Sequence, residues 1–224
     1  MAAKGRVRGG RRWMDEHVSD PYVQRAQAEG FRSRAAYKLA ELADRDRLLA
    51  PGMVVVDLGA APGSWSQIAA RRAGGKGLVV AVDLLPIEPL AGVTVIEGDF
   101  AQQAVQDRLL AVLGGRPVDL VLSDMAPNIS GIPVADRARA AALAELARDF
   151  AIEHLRPGGA LVVKLFQSGE AEVFLKFLRP HFDRVSARKP LASRERSSEV
   201  YAVARGFRGP ADDFGRDDNK GNPV

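Results

Sequence analysis

The sequence predicts one α/β domain built on a seven-stranded, mostly parallel sheet whose last strand runs antiparallel. Apolar runs of four to eight residues alternate with stretches of helical spacing, the pattern of β-α units. The first five runs are rich in Val, Ile and Leu with little alternation, as in parallel strands covered on both faces. The last two runs follow one another with no room for a helix, which implies a terminal antiparallel hairpin. A chain of 224 residues, 46% of them hydrophobic, suffices for one sizeable core.

Taken in order, strands are expected at 54–58, 78–84, 93–97, 118–123, 160–165, 183–188 and 200–204. Ahead of them, a helix is expected over 33–49, where Ala36, Leu39, Ala40, Ala43 and Leu49 share a face and Lys38 sits beside that stripe. Further helices are expected over 64–72, 102–113, 136–155 and 170–178, the long one stopped by Arg156-Pro157-Gly158-Gly159. The domain is thus placed at 32–207, between a basic extension over 1–31 and a Gly-, Asp- and Arg-rich tail over 208–224 that is expected to be flexible.

Composition narrows the class. There is no cysteine, so disulfides and thiolate metal sites are excluded. His17, His154 and His181 are scattered without metal-ligand spacing, and no metal cofactor is expected. The basic start lacks the apolar core of a secretory signal, and no apolar run approaches the roughly 20 residues that span a bilayer. A soluble, cytoplasmic monomer is expected. Net charge is only +4, but residues 1–38 hold nine Lys or Arg against four acidic residues, the footprint of a polyanion partner or of a solubilising tail.

The segment Val54-Val55-Val56-Asp57-Leu58-Gly59-Ala60-Ala61-Pro62-Gly63-Ser64-Trp65-Ser66 is an apolar strand, a small-residue turn and a helix start. Gly59 and Gly63 let a ligand approach the backbone at the carboxyl end of a strand, where open α/β sheets bind ligands. The Gly-x-x-x-Gly spacing and Pro62 disfavour a dinucleotide cradle; an ordinary tight turn would look the same. Asp83, ending the second strand 20 residues beyond Gly63, suits the two hydroxyls of a ribose. Asp99 and Phe100, after the third, suit an adenine amino group and ring face. Strand-end Asp residues also cap helices and make turns. Together the three positions point to an adenosine-containing ligand without a phosphate requirement, which S-adenosylmethionine fits better than NAD or ATP.

A second constellation is polar where a sheet prefers apolar residues. Lys164 interrupts the apolar fifth run, so it needs a carboxylate nearby or a depressed pKa. Asp124, ending the neighbouring strand, is the first candidate partner and Glu199 the second; Lys38 completes an alternating Lys-Asp-Lys-Glu cluster. A structural ion-pair network is the alternative.

Arg32-Ser33-Arg34-Ala35-Ala36-Tyr37-Lys38-Leu39, the 57–67 loop, Ser123-Asp124-Met125-Ala126-Pro127-Asn128, Val163-Lys164-Leu165-Phe166 and Arg196-Ser197-Ser198-Glu199-Val200-Tyr201 stand in the order of the motifs of FtsJ-type ribose methyltransferases. The resemblance covers 13–207. It implies a Rossmann-like S-adenosylmethionine-dependent fold and a catalytic tetrad of Lys38, Asp124, Lys164 and Glu199. It also implies cofactor contacts among Gly59, Gly63, Ser64, Trp65, Asp83, Asp99, Phe100 and Asp124. The implied acceptor is the 2′-hydroxyl of a uridine in large-subunit ribosomal RNA, on the large ribosomal subunit. Ser64 departs from the family, which has a second glycine after the proline, so cofactor affinity is in question.

In that setting Lys164 is expected to accept the hydroxyl proton, Asp124 to orient it, and Lys38 and Glu199 to fix the hydroxyl. Arg32, Arg34 and the basic arm are expected on RNA phosphates, with Tyr201 among the RNA contacts. Trp13, Tyr22 and Phe31 would either stack on bases or anchor the extension to the core. Messenger-RNA cap or transfer-RNA ribose methylation, and a non-catalytic assembly factor, are the competing functions.

Overall fold

The computed structural model describes residues 20–128, 130–167, 169–194 and 197–209. The basic arm, Trp13 and nearly all of the expected tail lie outside the described residues. Among the described residues six helices and seven strands follow in the order α1 (Pro21–Ala28), α2 (Ala35–Asp46), β1 (Val54–Leu58), α3 (Ser64–Ala73), β2 (Leu78–Asp83), β3 (Val93–Glu97), α4 (Gln103–Leu113), β4 (Val118–Ser123), α5 (Pro133–His154), β5 (Leu155–Phe166), α6 (Gly169–Leu178), β6 (Phe182–Arg188) and β7 (Glu199–Phe207). The sheet order is β3-β2-β1-β4-β5-β7-β6. Strands β1 to β5 pair in parallel, and β7 inserts between β5 and β6, antiparallel to both. The expected mostly parallel sheet with a reversed last strand is what forms.

Among the boundaries that differ from the sequence reading, three have a clear local reason. Helix α1 lies within the stretch expected as an extension: Asp20 caps it, its Oδ1 accepting from the Tyr22 N–H at 3.0 Å, and Pro21 occupies the first turn. Its Ala26 and Tyr22 pack on Tyr37, Phe31 and Ala192, so Tyr22 and Phe31 anchor this segment. Helix α5 starts at Pro133 rather than 136, because proline's missing N–H costs nothing at a helix start. Strand β5 begins five residues early, at Leu155: Val118 pairs with Leu155 and Leu120 with Ala160, so a bulge absorbs Arg156-Pro157-Gly158-Gly159.

Side chains alternate across the sheet and divide the core in two. Val56, Val80, Val121, Leu161, Val163 and Ala202 face α4, α5 and α6. Val55, Val79, Leu120, Leu122, Val162, Tyr201 and Val203 face α2 and α3. Continued by the same alternation, Asp57, Asp83, Asp124, Lys164 and Glu199 all fall on the α2/α3 side. That parity brings every polar residue of the site to one face, under the helix that carries Lys38.

Candidate active site

Register completes the arrangement. Lys164 on β5 is paired with Tyr201 on β7, and Phe166 with Glu199. Asp124 leaves β4 with its N–H bonded to the Leu58 carbonyl, at the carboxyl end of β1. The two lysines form two ion pairs. Lys38 Nζ lies 2.5 Å from Glu199 Oε1; Lys164 Nζ lies 3.1 Å from Asp124 Oδ1 and 2.5 Å from the Asp124 carbonyl oxygen. Glu199 therefore partners Lys38, and it joins the second pair only through Tyr201. The Tyr201 hydroxyl is 2.9 Å from Glu199 Oε1 and 3.0 Å from Asp124 Oδ1, and it lies 3.3 Å from Lys38 Nζ. A phenol has one hydrogen, so it donates to one carboxylate at a time while accepting from Lys38.

Electrostatics hold these groups in defined states. Burial alone would raise the Glu199 carboxyl, but Lys38 and the Tyr201 and Ser197 hydroxyls outweigh it and leave Glu199 below the usual carboxylate range. Burial and the charges of Asp124 and Glu199 push the Tyr201 hydroxyl well above its ordinary value, so it remains a donor.

Two openings meet at this cluster. A cavity of about 370 Å³ is lined by Arg34, Ala35, Lys38, Arg194, Ser197 and Glu199. A narrow groove beside it is lined by Ala35, Gly59, Ala60, Ala61, Pro62, Ser64, Trp65 and Asp124. They share Ala35, with one ion pair contributing to each side. The groove is the glycine turn after β1, and its backbone is crowded: a Cβ on Gly59, at φ 74°, would stand 2.7 Å from the Met125 backbone. Asp83 stitches the turn, its Oδ2 accepting from the Ala61 N–H and its Oδ1 from the Leu85 N–H, both at 2.8 Å.

The description of FtsJ-like methyltransferases matches residues 31–207 of the chain. The chain belongs to the FtsJ-like methyltransferase family. Its methyl donor is S-adenosylmethionine. It is 57% identical over 203 residues to the ribosomal RNA large subunit methyltransferases E of Stenotrophomonas maltophilia and Xanthomonas euvesicatoria, covering 91% of this chain and 97% of each relative. Among solved structures, a ribosomal RNA methyltransferase from Plasmodium falciparum superposes with a TM-score of 0.72 at 27% identity, covering 80% of this chain and all of that one.

Within this FtsJ-like site the structure brings together Lys38, Asp124, Lys164 and Glu199, and it sets Gly59, Gly63, Ser64 and Asp83 in or against the groove's turn, while the Asp99 carboxylate accepts from the Ala101 N–H in the loop after β3. It corrects several expectations drawn from residue type. Phe100 is 5% exposed and packs edge-to-face on Phe150 in the α4/α5 core, so its ring face is not open to an adenine. Tyr201 is fully buried, so it bridges the ion pairs and is not an RNA contact. Trp65 already donates its Nε1 hydrogen to the Ala35 carbonyl at 2.9 Å and lies against Tyr201, so it is a groove wall without a free donor. Arg32 donates to the Pro62 and Pro89 carbonyls and so braces the glycine turn. Arg34 is paired with Asp20 and bonded to the Ala192 carbonyl, so it anchors α1 as well as lining the cavity. Burial and the charge of Arg194 pull its guanidinium below the ordinary arginine value.

Ser64 has a structural use: its Oγ lies 2.7 Å from Ser33 Oγ, tying the turn to the segment before α2. Two site residues, Arg194 and Asp57, were missed from the sequence, and Tyr201 was given another role. Tyr201 stands two residues from Glu199 on a strand, which puts both on one face; that signal was available. Arg194 and Asp57 carried no comparable signal, because only the cavity and the burial make them notable.

Proposed function

We propose that this chain transfers the methyl group of S-adenosylmethionine to the 2′-hydroxyl of a uridine ribose in large-subunit ribosomal RNA, on the large ribosomal subunit, as a cytoplasmic monomer. The observation that carries the reading is the meeting, at Ala35, of a groove beside the glycine turn and a cavity rimmed by Arg34 and Arg194, with two Lys–carboxylate pairs at the junction. The 57% identical relatives named for large-subunit ribosomal RNA support the choice of acceptor.

The cofactor, when bound, supplies an electrophilic methyl group, and the Gly59–Gly63 turn and Ser64 admit it. Asp83 takes the ribose hydroxyls with lone pairs not used by the two turn N–H groups, and Asp99 takes the adenine amino group. An ammonium has three hydrogens, and Asp124 holds two of those on Lys164 through Oδ1 and its carbonyl. The third position is left for the acceptor hydroxyl. A Lys164 that has shed that proton presents its lone pair there, takes the hydroxyl proton as the O–C bond forms and the S–C bond breaks, and ends as the ammonium. Lys38 and Glu199 fix the hydroxyl from the cavity side, and alignment of the in-line displacement supplies much of the acceleration. Arg194 and the basic arm bind RNA phosphates.

Labelled methyl transfer to free ribosomal RNA, assembled large subunits and transfer RNA, with the modified nucleotide mapped, tests the reading. The expected product is one 2′-O-methyluridine in large-subunit RNA; modification of transfer RNA alone, or none at all, overturns it.

A further inference from the structure

We propose that Asp57 is a cofactor-positioning residue whose carboxyl is protonated in the free protein and releases its proton when the cationic cofactor docks in the glycine turn above it. The proposal rests on the placement of S-adenosylmethionine at Gly59–Gly63.

Asp57 is the fourth residue of β1 and is fully buried. Its Oδ2 accepts from Ser66 Oγ on α3 at 2.6 Å, while its Oδ1 has no hydrogen-bond partner. Its neighbours across the sheet are Ala81 on β2 and Leu122 on β4. Two residues on, toward the ligand-binding edge, the next side chains on the same face of those strands are Asp83 and Asp124. Three carboxyl groups thus converge under one turn. Asp83 is held by two backbone N–H groups, and Asp124 has Lys164 and Tyr201. Asp57 has the hydroxyl and the backbone N–H of Ser66 and no cation: Lys164 is committed to Asp124 and Lys38 to Glu199.

A dry carboxylate with one oxygen unpartnered and no cation, lying beside two others, is the least favourable of the three ionised forms, so the proton resides there. Burial, then the charges of Asp124 and Asp83, push the Asp57 carboxyl up to about 7. S-adenosylmethionine brings a sulfonium, an ammonium and a carboxylate, a net charge of one positive. Positive charge arriving at the turn favours the anion, and the released proton couples cofactor affinity to pH. The sign follows: affinity rises with pH while the free protein is still protonated at Asp57, and flattens above about 7.

Calorimetric titration of S-adenosylmethionine into wild type and Asp57→Asn, in buffers of different ionisation enthalpy, reads the protons released on binding. Wild type is expected to release close to one more proton than Asp57→Asn at about pH 6, with up to tenfold change in affinity per pH unit. Protons from the cofactor's own amino group appear in both proteins and cancel. Thermal melts confirm that Asp57→Asn is folded. Asp99→Ala, at the far end of the proposed cofactor site, separates the two ways to fail. If Asp99→Ala binds as tightly as wild type, the cofactor placement falls and takes the proposal with it. If Asp99→Ala weakens binding and both proteins release equal protons, the placement stands and the role of Asp57 is overturned.

Discussion

Tyr201 and Lys164 face each other across the β5–β7 pair, and both reach Asp124, one by its hydroxyl and one by its ammonium. The buried phenol therefore couples the Lys164–Asp124 pair to the Lys38–Glu199 pair. Tyr201→Phe removes the coupling hydroxyl and leaves both ion pairs in place. It should cost about 1 kcal/mol of stability and lower turnover about tenfold by loosening alignment, with cofactor affinity unchanged. Chemical denaturation and single-turnover methyl transfer measure the two effects.

Lys164→Ala removes the proposed proton acceptor and leaves the glycine turn untouched. Single-turnover transfer should fall at least 100-fold, while the Kd for S-adenosylmethionine stays within a few-fold. A loss of only a few-fold in the rate would take Lys164 out of the chemistry.

Stability should carry the signature of Asp57. Its carboxyl titrates higher in the folded chain, about 7, than in the unfolded one. The folded state therefore binds the extra proton between those values. The stabilisation is complete below the unfolded pKa and is lost as pH rises toward 7, an effect of the order of 4 kcal/mol. Asp57→Asn should be less sensitive to pH across that window, as denaturant midpoints measured from pH 4 to pH 8 would show.

Arg34 and Arg194 both line the cavity, yet their surroundings differ. Arg34 is largely enclosed by Asp20 and the Ala192 carbonyl, so Arg34→Ala strands a nearly buried carboxylate and should destabilise the fold by about 3 kcal/mol. Arg194 is a third exposed and only 3.9 Å from Asp20. Arg194→Ala should leave the melting temperature unchanged, raise KM for RNA, and reduce the slope of binding against salt by about one ion.

Ser64→Gly tests the position at which the resemblance implies a second glycine. It breaks the Ser33–Ser64 hydrogen bond, so it should lower stability by about 1 kcal/mol. A Kd for the cofactor that improves on this change would show that the serine narrows the groove; the hydrogen bond predicts a weaker Kd.

All seven strands could be read from the chain because strands buried in a sheet leave short apolar runs bounded by turn residues, and such a run rejects an unpaired lysine. Lys164 stood out in Val163-Lys164-Leu165 for that reason, and the need for a carboxylate led to Asp124. What could not be read is who pairs with whom. The partner of Glu199 follows from the register of β7 against β5 and from how closely α2 lies over them, both long-range contacts that local spacing does not encode. The same limit misplaced Phe100 and Tyr201. An aromatic residue has the same letter whether its ring is a ligand surface or part of the core, and only the packing around it decides. The arginines before α2 repeat the lesson in charge: net basicity of residues 1–38 was plain in the composition, but Arg32 bracing the glycine turn and Arg34 holding Asp20 depend on the folded surroundings. By itself, then, the sequence determined the sheet, the glycine turn and the identity of the reactive groups, because periodicity and residue chemistry are local. The tertiary structure alone decided which of those groups share protons, because that depends on distances of a few ångströms between residues far apart in the chain.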